Sequence, residues 1–146
     1  MGGLIALQLS TMKDVNVRHI VMIESFITSP GKFFQNILME STNTDIKERI
    51  LNMLKEESIY YSPQLKDKLR DLDLADLINK SNSNIHCIYG DRGINDRDKV
   101  ISELELSDNI KKCININIIK NSCHFPMLEN CGELLGLLTS IIKSNS

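Results

Sequence analysis

The chain has 146 residues, 42% of them hydrophobic and 25% charged, a composition typical of one folded domain with a buried core. Its formal charge of −2, with acidic and basic residues intermixed, excludes the basic stripe that nucleic-acid binding requires. The longest apolar runs, such as residues 4–9, are too short to span a membrane, and no basic residue precedes them as in a signal peptide. We therefore predict a cytoplasmic protein with no membrane span and no nucleic-acid partner.

The cysteines show no metal-binding pattern, because no two of them form a C-x-x-C pair and no histidine lies at zinc-finger spacing from them. They are Cys87, Cys113, Cys123 and Cys131. The glycines near residue 90 match no phosphate-binding loop, and the aspartates of residues 91–98 do not fit an EF-hand. We expect reduced thiols, no metal and no cofactor.

The first half of the chain predicts a helix, a strand and a long helical stretch. Residues 3–11 are apolar on nearly every side, which is typical of a short helix buried in a larger body. The β-branched run 17–23, followed by the polar Glu24 and Ser25, predicts a buried strand with a loop at its carboxyl end. From residue 30 to 78 the apolar spacing becomes helical.

The second half predicts two further strands, each followed by a helix. A strand over 85–89 ends at a glycine and leads into the loop GDRGINDRD at 90–98. A helix is predicted over 98–106, a strand over 114–119 and a closing helix over 128–142. Strands separated by helices favour an α/β fold with a parallel sheet of about three strands.

The predicted strands would bring three polar loops to one edge of the sheet, where parallel sheets place their ligands and catalytic groups. These loops contain Glu24-Ser25, the aspartates of 90–98, and His124 within NSCHFPMLE at 121–129. Carboxylates and a histidine at strand ends are the ingredients of acid–base chemistry. We see no repeat, and we predict a single domain over residues 1–146.

Three segments, in order, resemble the last part of an α/β hydrolase: MGGLIALQLS, IHCIYGDRG and NSCHFPMLEN. In that family a nucleophile elbow, G-x-S-x-G, precedes a buried helix, and the acid and the histidine follow in that order. The opening segment resembles the elbow from the residue after the serine onward, which implies a nucleophile immediately before Met1. Its glycines at 2 and 3 would let helix and strand approach closely. The resemblance covers essentially all 146 residues.

The resemblance implies roles for two positions of the chain. His124 matches the catalytic histidine, which takes the proton of the serine and later gives it to the leaving group. Its neighbour departs from the family pattern, since Cys123 replaces the usual glycine. The backbone N–H of Met1 matches the oxyanion donor that follows the nucleophile.

The acid has several candidates. The commonest family position, three residues after the strand-end glycine, is occupied by Gly93. Another version of the pattern places the acid six residues after that glycine, and Asp96 matches it. Asp91 and Asp98 are alternatives, as is Glu24 after the first strand, and a solvated turn is an equal alternative for the aspartate loop.

The resemblance also assigns residues 30–78 to a helical cap that shapes the substrate pocket. We expect apolar side chains of this segment to line a site for an acyl group, with ordinary helix packing as the alternative for each. They are Phe33, Phe34, Ile37, Met39, Tyr60 and Tyr61.

Three further residues are expected to be structural. His19 precedes the first strand core and His86 lies within the second strand, so neither is expected to be catalytic. Glu129 is expected to begin the closing helix, where a carboxylate favours the positive end of the helix dipole.

Two functions follow from the resemblance. The first is the carboxyl-terminal part of a serine hydrolase, similar to esterases, lipases and thioesterases, that cleaves an acyl bond of a small-molecule substrate once a serine completes it and is inactive alone. The second is a degenerate, non-catalytic hydrolase that serves as a binding or interaction module. If Met1 is the native start, the first strand lacks a neighbour, and this unpaired sheet edge would favour self-association.

Overall fold

The computed structural model describes residues 2–28 and 31–144. Its elements in chain order are α1 (Gly2–Ser10), β1 (His19–Ile23), a 3₁₀ helix (Lys32–Gln35), α2 (Thr44–Ser58), α3 (Pro63–Arg70), α4 (Ala75–Lys80), β2 (Asn84–Gly90), α5 (Arg97–Glu103), α6 (Asp108–Cys113), β3 (Ile114–Ile119), α7 (Pro126–Glu129) and α8 (Cys131–Lys143).

The described strands form one parallel sheet in the order β1-β2-β3. Ile20 of β1 lies beside Ile85 of β2, which lies beside Ile114 of β3. In parallel strands side chains in register share a face, so these isoleucines form one apolar row. The predicted α/β fold with a three-strand parallel sheet is confirmed.

Helices cover the two faces of the sheet. The larger core joins one face to α1, α4, α5 and α6 through the buried residues Leu7, Ile78, Val100 and Ile110. On the other face, Ile88 and Ile119 pack against Leu134 and Ile141 of α8. Each such side chain contributes about 1.5–3 kcal/mol on burial. Because both faces are packed, the carboxyl ends of the strands form a fixed edge.

The segment between β1 and β2 contributes unequally to this core. Within α2 only Ile50 is buried, and α3 has no buried residue. Leu74 and Ile78, by contrast, lie in the main core and fix α4 beside the sheet. Helices α2 and α3 therefore lie outside the main body, whereas α4 belongs to it.

The carboxyl-terminal helical region is divided in two. The predicted single helix over 128–142 is instead α7 and α8, and Glu129 ends α7 rather than beginning α8. Asn130 between them has a non-helical φ of −147°, and its side chain accepts a hydrogen bond from the Glu133 N–H. Asn130 is therefore the residue that caps α8, and the carboxylate of Glu129 is available for other contacts.

Gly90 ends β2 and lies against the backbone of the loop after β3. A Cβ there would be 2.2 Å from the carbonyl oxygen of Ser122 and 2.6 Å from that of Cys123. The same carbonyl of Ser122 accepts a hydrogen bond of 2.9 Å from the backbone N–H of Arg92. The loops after β2 and β3 are therefore bonded together at a point where only glycine fits.

We predict that Gly90→Ala lowers the free energy of unfolding by about 3 kcal/mol, because the new methyl group overlaps backbone that is held from both sides. Denaturant unfolding followed by circular dichroism measures the change. Gly136→Ala in α8 is the matched control, since no other part of residues 2–28 and 31–144 lies within 4 Å of a Cβ at that position. We expect that control to gain about 0.5 kcal/mol. A loss at Gly90 below about 1 kcal/mol would contradict the close approach.

Candidate active site

The backbone adopts an unusual conformation just after each strand. Glu24 follows β1 with a φ of 49°, Arg92 follows β2 with a φ of 53°, and Asn121 follows β3 with a φ of 49°. Residues other than glycine rarely adopt this left-handed conformation, which costs on the order of 1 kcal/mol each. Such residues cluster at functional sites, so the carboxyl edge of the sheet is the first candidate for one.

Glu24 is the centre of this edge, with a side chain that is only 2% exposed. Its Oε1 accepts hydrogen bonds from the backbone N–H of Gly90 at 2.5 Å and from Nη1 of Arg92 at 3.0 Å. Its Oε2 accepts one from Nη2 of Arg92 at 2.5 Å and lies 3.5 Å from Nδ1 of His124. One carboxylate oxygen is thus shared between an arginine and a histidine.

These contacts decide the ionisation of Glu24. Burial alone would raise the pKa of the carboxyl, but the contacts with His124, with the Arg92 guanidinium and with the Gly90 N–H outweigh burial and hold the pKa below its ordinary value of 4.5. The carboxylate is therefore ionised at neutral pH in spite of its burial.

The side chain of Arg92 is 2% exposed, the same fraction as that of Glu24, with which it pairs. Its guanidinium carbon lies 3.9 Å from the centre of the Phe33 ring, and its Nη1 also donates to the carbonyl of Gly90 at 2.9 Å. Nε is buried without a hydrogen-bond partner in the described part of the chain. The guanidinium is therefore fixed through its two terminal nitrogens and through the aromatic ring beneath it.

His124 reaches the same carboxylate from the loop after β3. Its side chain is 42% exposed, and its backbone N–H donates to the carbonyl of Ile37 at 3.0 Å. The separation of 3.5 Å between Nδ1 and Glu24 Oε2 exceeds an ordinary hydrogen bond. Hydrogen bonds of catalytic groups often shorten to their working length only when substrate binds.

A cavity of about 550 Å³ opens at this edge and is lined in part by Glu24 and His124. Gly2 and Gly3, at the start of α1, form another part of its wall. Most of the remaining wall is apolar and includes Phe26, Tyr61, Leu69, Leu72 and Phe125. A buried carboxylate and a partly exposed imidazole thus lie together beside an apolar space.

Asp96, the acid predicted from the sequence, has local hydrogen-bond partners in the structure. Asp96 is exposed, and its carboxylate accepts the N–H groups of Asp98 and Lys99 at 2.9 and 3.3 Å. It is the N-cap of α5, a role that directs its side chain to the start of that helix. The carboxylate that meets His124 is that of Glu24, one of the alternatives left open by the sequence.

The other two aspartates also lie away from the cavity. Asp91 is buried, accepts the Gly93 N–H at 2.9 Å and lines a separate cavity of about 350 Å³. Asp98 is exposed in the first turn of α5. Both serve the local structure of the loop after β2.

Three of the residues predicted to contact substrate, Phe33, Phe34 and Ile37, are not among the described residues that line the cavity. Phe33 is buried beneath Arg92, and the ring of Phe34 meets the rings of Phe33 and Tyr89 edge to face, at 5.3 and 5.9 Å between centroids. Ile37 is exposed and offers its backbone carbonyl to the loop after β3. Phe33 and Phe34 thus pack against each other and against Arg92 and Tyr89.

The remaining predicted site residues have different environments. Tyr61 lines the cavity, whereas Tyr60 is 78% exposed. Met39 donates its backbone N–H to the carboxylate of Glu129 at 2.7 Å. Met1, the predicted oxyanion donor, lies outside the described residues.

Arg92 is a site residue that the sequence analysis missed. It lies two positions after the glycine that ends β2, so its side chain starts at the same sheet edge as Glu24. A cation two residues after the end of one predicted strand, with a glutamate directly after another, is the signal that could have identified it.

Gly3, at the start of α1, lies close to β1 and to Ser25. A Cβ on Gly3 would lie 2.9 Å from the Met22 side chain and 2.9 Å from the Ser25 hydroxyl, whereas one on Gly2 would meet none of the described residues within 4 Å. The start of α1 is thus held directly beside the end of β1.

Burial raises the pKa of the Cys123 thiol, next to His124, to about 11, so this cysteine is protonated at neutral pH. No group of three or more His, Cys, Asp or Glu side chains among residues 2–28 and 31–144 is placed to hold a metal ion. Among the described helices, none combines the length and apolar character needed to cross a membrane.

We predict that Glu24→Gln destabilises the protein by about 3 kcal/mol at pH 7, because it leaves the buried Arg92 without its charged partner. A carboxyl whose pKa is lowered by folding stabilises the folded state above its unfolded pKa, and this contribution is lost as pH falls through the folded value. The difference between the two proteins should therefore shrink below about pH 4.5. Urea unfolding at a series of pH values measures it.

Asp96→Asn is the matched control, because asparagine caps a helix as well as aspartate does. It should change the free energy of unfolding by less than about 0.5 kcal/mol at neutral pH. A Glu24→Gln variant as stable as the parent at pH 7 would contradict the buried ion pair.

Comparisons with known proteins give matches at the level of structure. No protein-family model matches the chain, and no curated protein matches its sequence. MGS-M2, described as an α/β hydrolase enzyme from a Medee basin deep-sea metagenome library, matches over 97% of this chain with a TM-score of 0.57 and 12% identity. VinJ matches over 97% with a TM-score of 0.56 and 14% identity, and a lipase-esterase related protein from Clostridium acetobutylicum over 94% with a TM-score of 0.50 and 16% identity.

The chain spans 62%, 62% and 61% of those three structures, respectively. At such low identities the likeness establishes the fold, and function is a separate question. Nearly all of this chain, with its three-strand parallel sheet and surrounding helices, therefore has the fold of part of an α/β hydrolase, as the resemblance of its sequence implies.

Proposed function

We propose that the chain is the carboxyl-terminal part of a serine hydrolase that cleaves an ester, thioester or related acyl bond. The observation that carries this proposal is the contact between Nδ1 of His124 and the buried, ionised carboxylate of Glu24, at the edge of a cavity that the start of α1 also lines. We propose Glu24 as the acid in place of Asp96.

In this proposal the carboxylate of Glu24 accepts a hydrogen bond from the Nδ1–H of His124 and so fixes the imidazole tautomer. The second ring nitrogen, Nε2, is then the base that takes the proton of the serine hydroxyl as the serine attacks the acyl carbon. The resulting imidazolium gives the same proton to the leaving alcohol or thiol. Throughout both steps Glu24 remains ionised, which its lowered pKa supports.

We propose that the serine lies immediately before Met1 in the complete protein, with the N–H of Met1 as one oxyanion donor. Support comes from Gly2 and Gly3, which line the same cavity as His124. The close contact of Gly3 with Ser25 also fits the sharp approach of helix and strand expected at an elbow.

We propose an apolar acyl group as the part of the substrate that the cavity takes. Tyr61, Leu69 and Leu72 belong to the predicted cap, residues 30–78, and line the cavity with apolar surface. Residues 30–78 would then be the cap, with Phe26 before it and Phe125 in the loop after β3 adding to the same wall.

Cytoplasmic location remains part of the proposal. All four cysteines have free thiols, as expected of a reducing compartment.

A second candidate function is a non-catalytic binding module. Two observations favour it: Arg92 donates hydrogen bonds to both carboxylate oxygens of Glu24, and Oε2 of Glu24 lies 3.5 Å from Nδ1 of His124. An acid already paired in this way orients an imidazole less strongly than a free carboxylate would. The β1 edge could then serve the self-association predicted from the sequence, as β1 is an edge strand of the described sheet.

A fluorophosphonate, which reacts with activated serines, tests the proposal on the complete protein isolated from its source through its carboxyl-terminal end. We expect labelling of a serine whose peptide continues directly into MGGLIALQLS. His124→Ala should abolish labelling, and Glu24→Gln should slow it at least about a hundredfold, since each removes a member of the triad.

Asp96→Asn in the same protein separates the two candidate acids and should be labelled at the parental rate. The opposite pattern, with Asp96→Asn slow and Glu24→Gln fast, would overturn the assignment of Glu24. A folded complete protein that is not labelled at all would overturn the hydrolase proposal and favour the binding module.

A further inference from the structure

Glu129 uses both carboxylate oxygens to join two separate parts of the chain. Its Oε1 accepts hydrogen bonds from the backbone N–H of Met39 and the hydroxyl of Thr42, each at 2.7 Å. Its Oε2 accepts one from the backbone N–H of Cys123, also at 2.7 Å. Hydrogen bonds to an ionised acceptor are about twice as strong as those between neutral groups. Three such bonds make this carboxylate a firm link.

The link acts directly beside His124. Cys123, held by Glu129, is its neighbour in the chain, and the N–H of His124 itself donates to the carbonyl of Ile37 at 3.0 Å. Two consecutive N–H groups of this loop are therefore bonded to residues 37–42, one directly and one through Glu129. The backbone on both sides of the Cys123–His124 peptide bond is therefore attached to the segment between β1 and β2.

Glu133, a second glutamate in the same region, makes only local contacts among the described residues. Its Oε2 accepts the backbone N–H of Lys120 at 2.9 Å and the side-chain N–H of Asn130 at 2.8 Å. Both partners lie within 13 residues of it along the chain, whereas Met39 lies 90 residues from Glu129. Glu133 thus closes one end of a loop, while Glu129 joins distant segments.

We propose that Glu129 is a positioning residue that couples residues 37–42 to the loop carrying His124, so that the placement of the imidazole depends on the placement of that segment. The inference deepens the proposed function, since it takes His124 as the base, but the coupling itself is a property of the chain. A displacement of residues 37–42 would be transmitted to His124 through the bonds of Glu129 and through Ile37.

Amide hydrogen exchange and NMR of the histidine rings in the isotope-labelled chain test this coupling without any hydrolysis. Glu129→Gln replaces one acceptor oxygen by a donor that faces an N–H group or a hydroxyl. We expect exchange at the amides of Met39 and Cys123 to become about tenfold faster. We also expect the ring signals of His124 to shift while those of His19 and His86 stay in place.

Glu133→Gln is the matched control, which should affect exchange at Lys120 and leave the ring of His124 unchanged. Thr42→Val removes a single bond to Glu129 and covers the case in which Glu129→Gln fails to fold. It should shift the His124 ring signals in the same direction by a smaller amount.

Ring signals of His124 that do not respond to Thr42→Val or Glu129→Gln, or that respond equally to Glu133→Gln, would overturn the proposal. If the His124 ring signals respond selectively but the complete protein is not labelled by fluorophosphonate, the coupling is supported and the catalytic role of His124 is rejected. The two failures are therefore distinguishable.

Discussion

The arrangement of this sheet edge depends on one buried ion pair, that of Glu24 with Arg92. A carboxylate that is 2% exposed is tolerated only if its charge is compensated, and here a guanidinium of equal burial and the Gly90 N–H compensate it. The pair binds the loop after β1 to the loop after β2. Phe33, below the guanidinium, joins the segment between β1 and β2 to the same point.

The loop after β3 is attached to this centre by several weaker contacts. Gly90 permits the backbone of Ser122 and Cys123 to lie against the end of β2, and His124 completes the group through Glu24. The three loops thus meet because parallel strands end together, and because a glycine, an ion pair and an imidazole fit one another there. The same contacts leave the imidazole open to an apolar cavity, which is the basis of the proposed acyl chemistry.

Much of the fold could be predicted from the sequence because its signals are local. Apolar runs of strand length between helical segments gave β3 as 114–119, as observed, and placed the other two strands within two residues of their observed bounds. The acid could not be found in this way. Spacing after a strand-end glycine favours Asp96, whereas Glu24 and Arg92 are 68 positions apart and meet only through strand pairing. Local capping was missed as well, since Asn130 divides the last helical region and frees Glu129.

The central claim, that Glu24 and not an aspartate of the loop after β2 is paired with His124, can be measured directly by NMR. A titration of carbon-labelled side-chain carboxyl groups, recorded together with the ring signals of His124, reports which carboxylate senses ionisation of the imidazole. The account predicts that the Glu24 carboxyl signal shows a step coincident with the titration of the His124 ring and that the Asp96 signal shows none. A coincident step at Asp96, with none at Glu24, would contradict it.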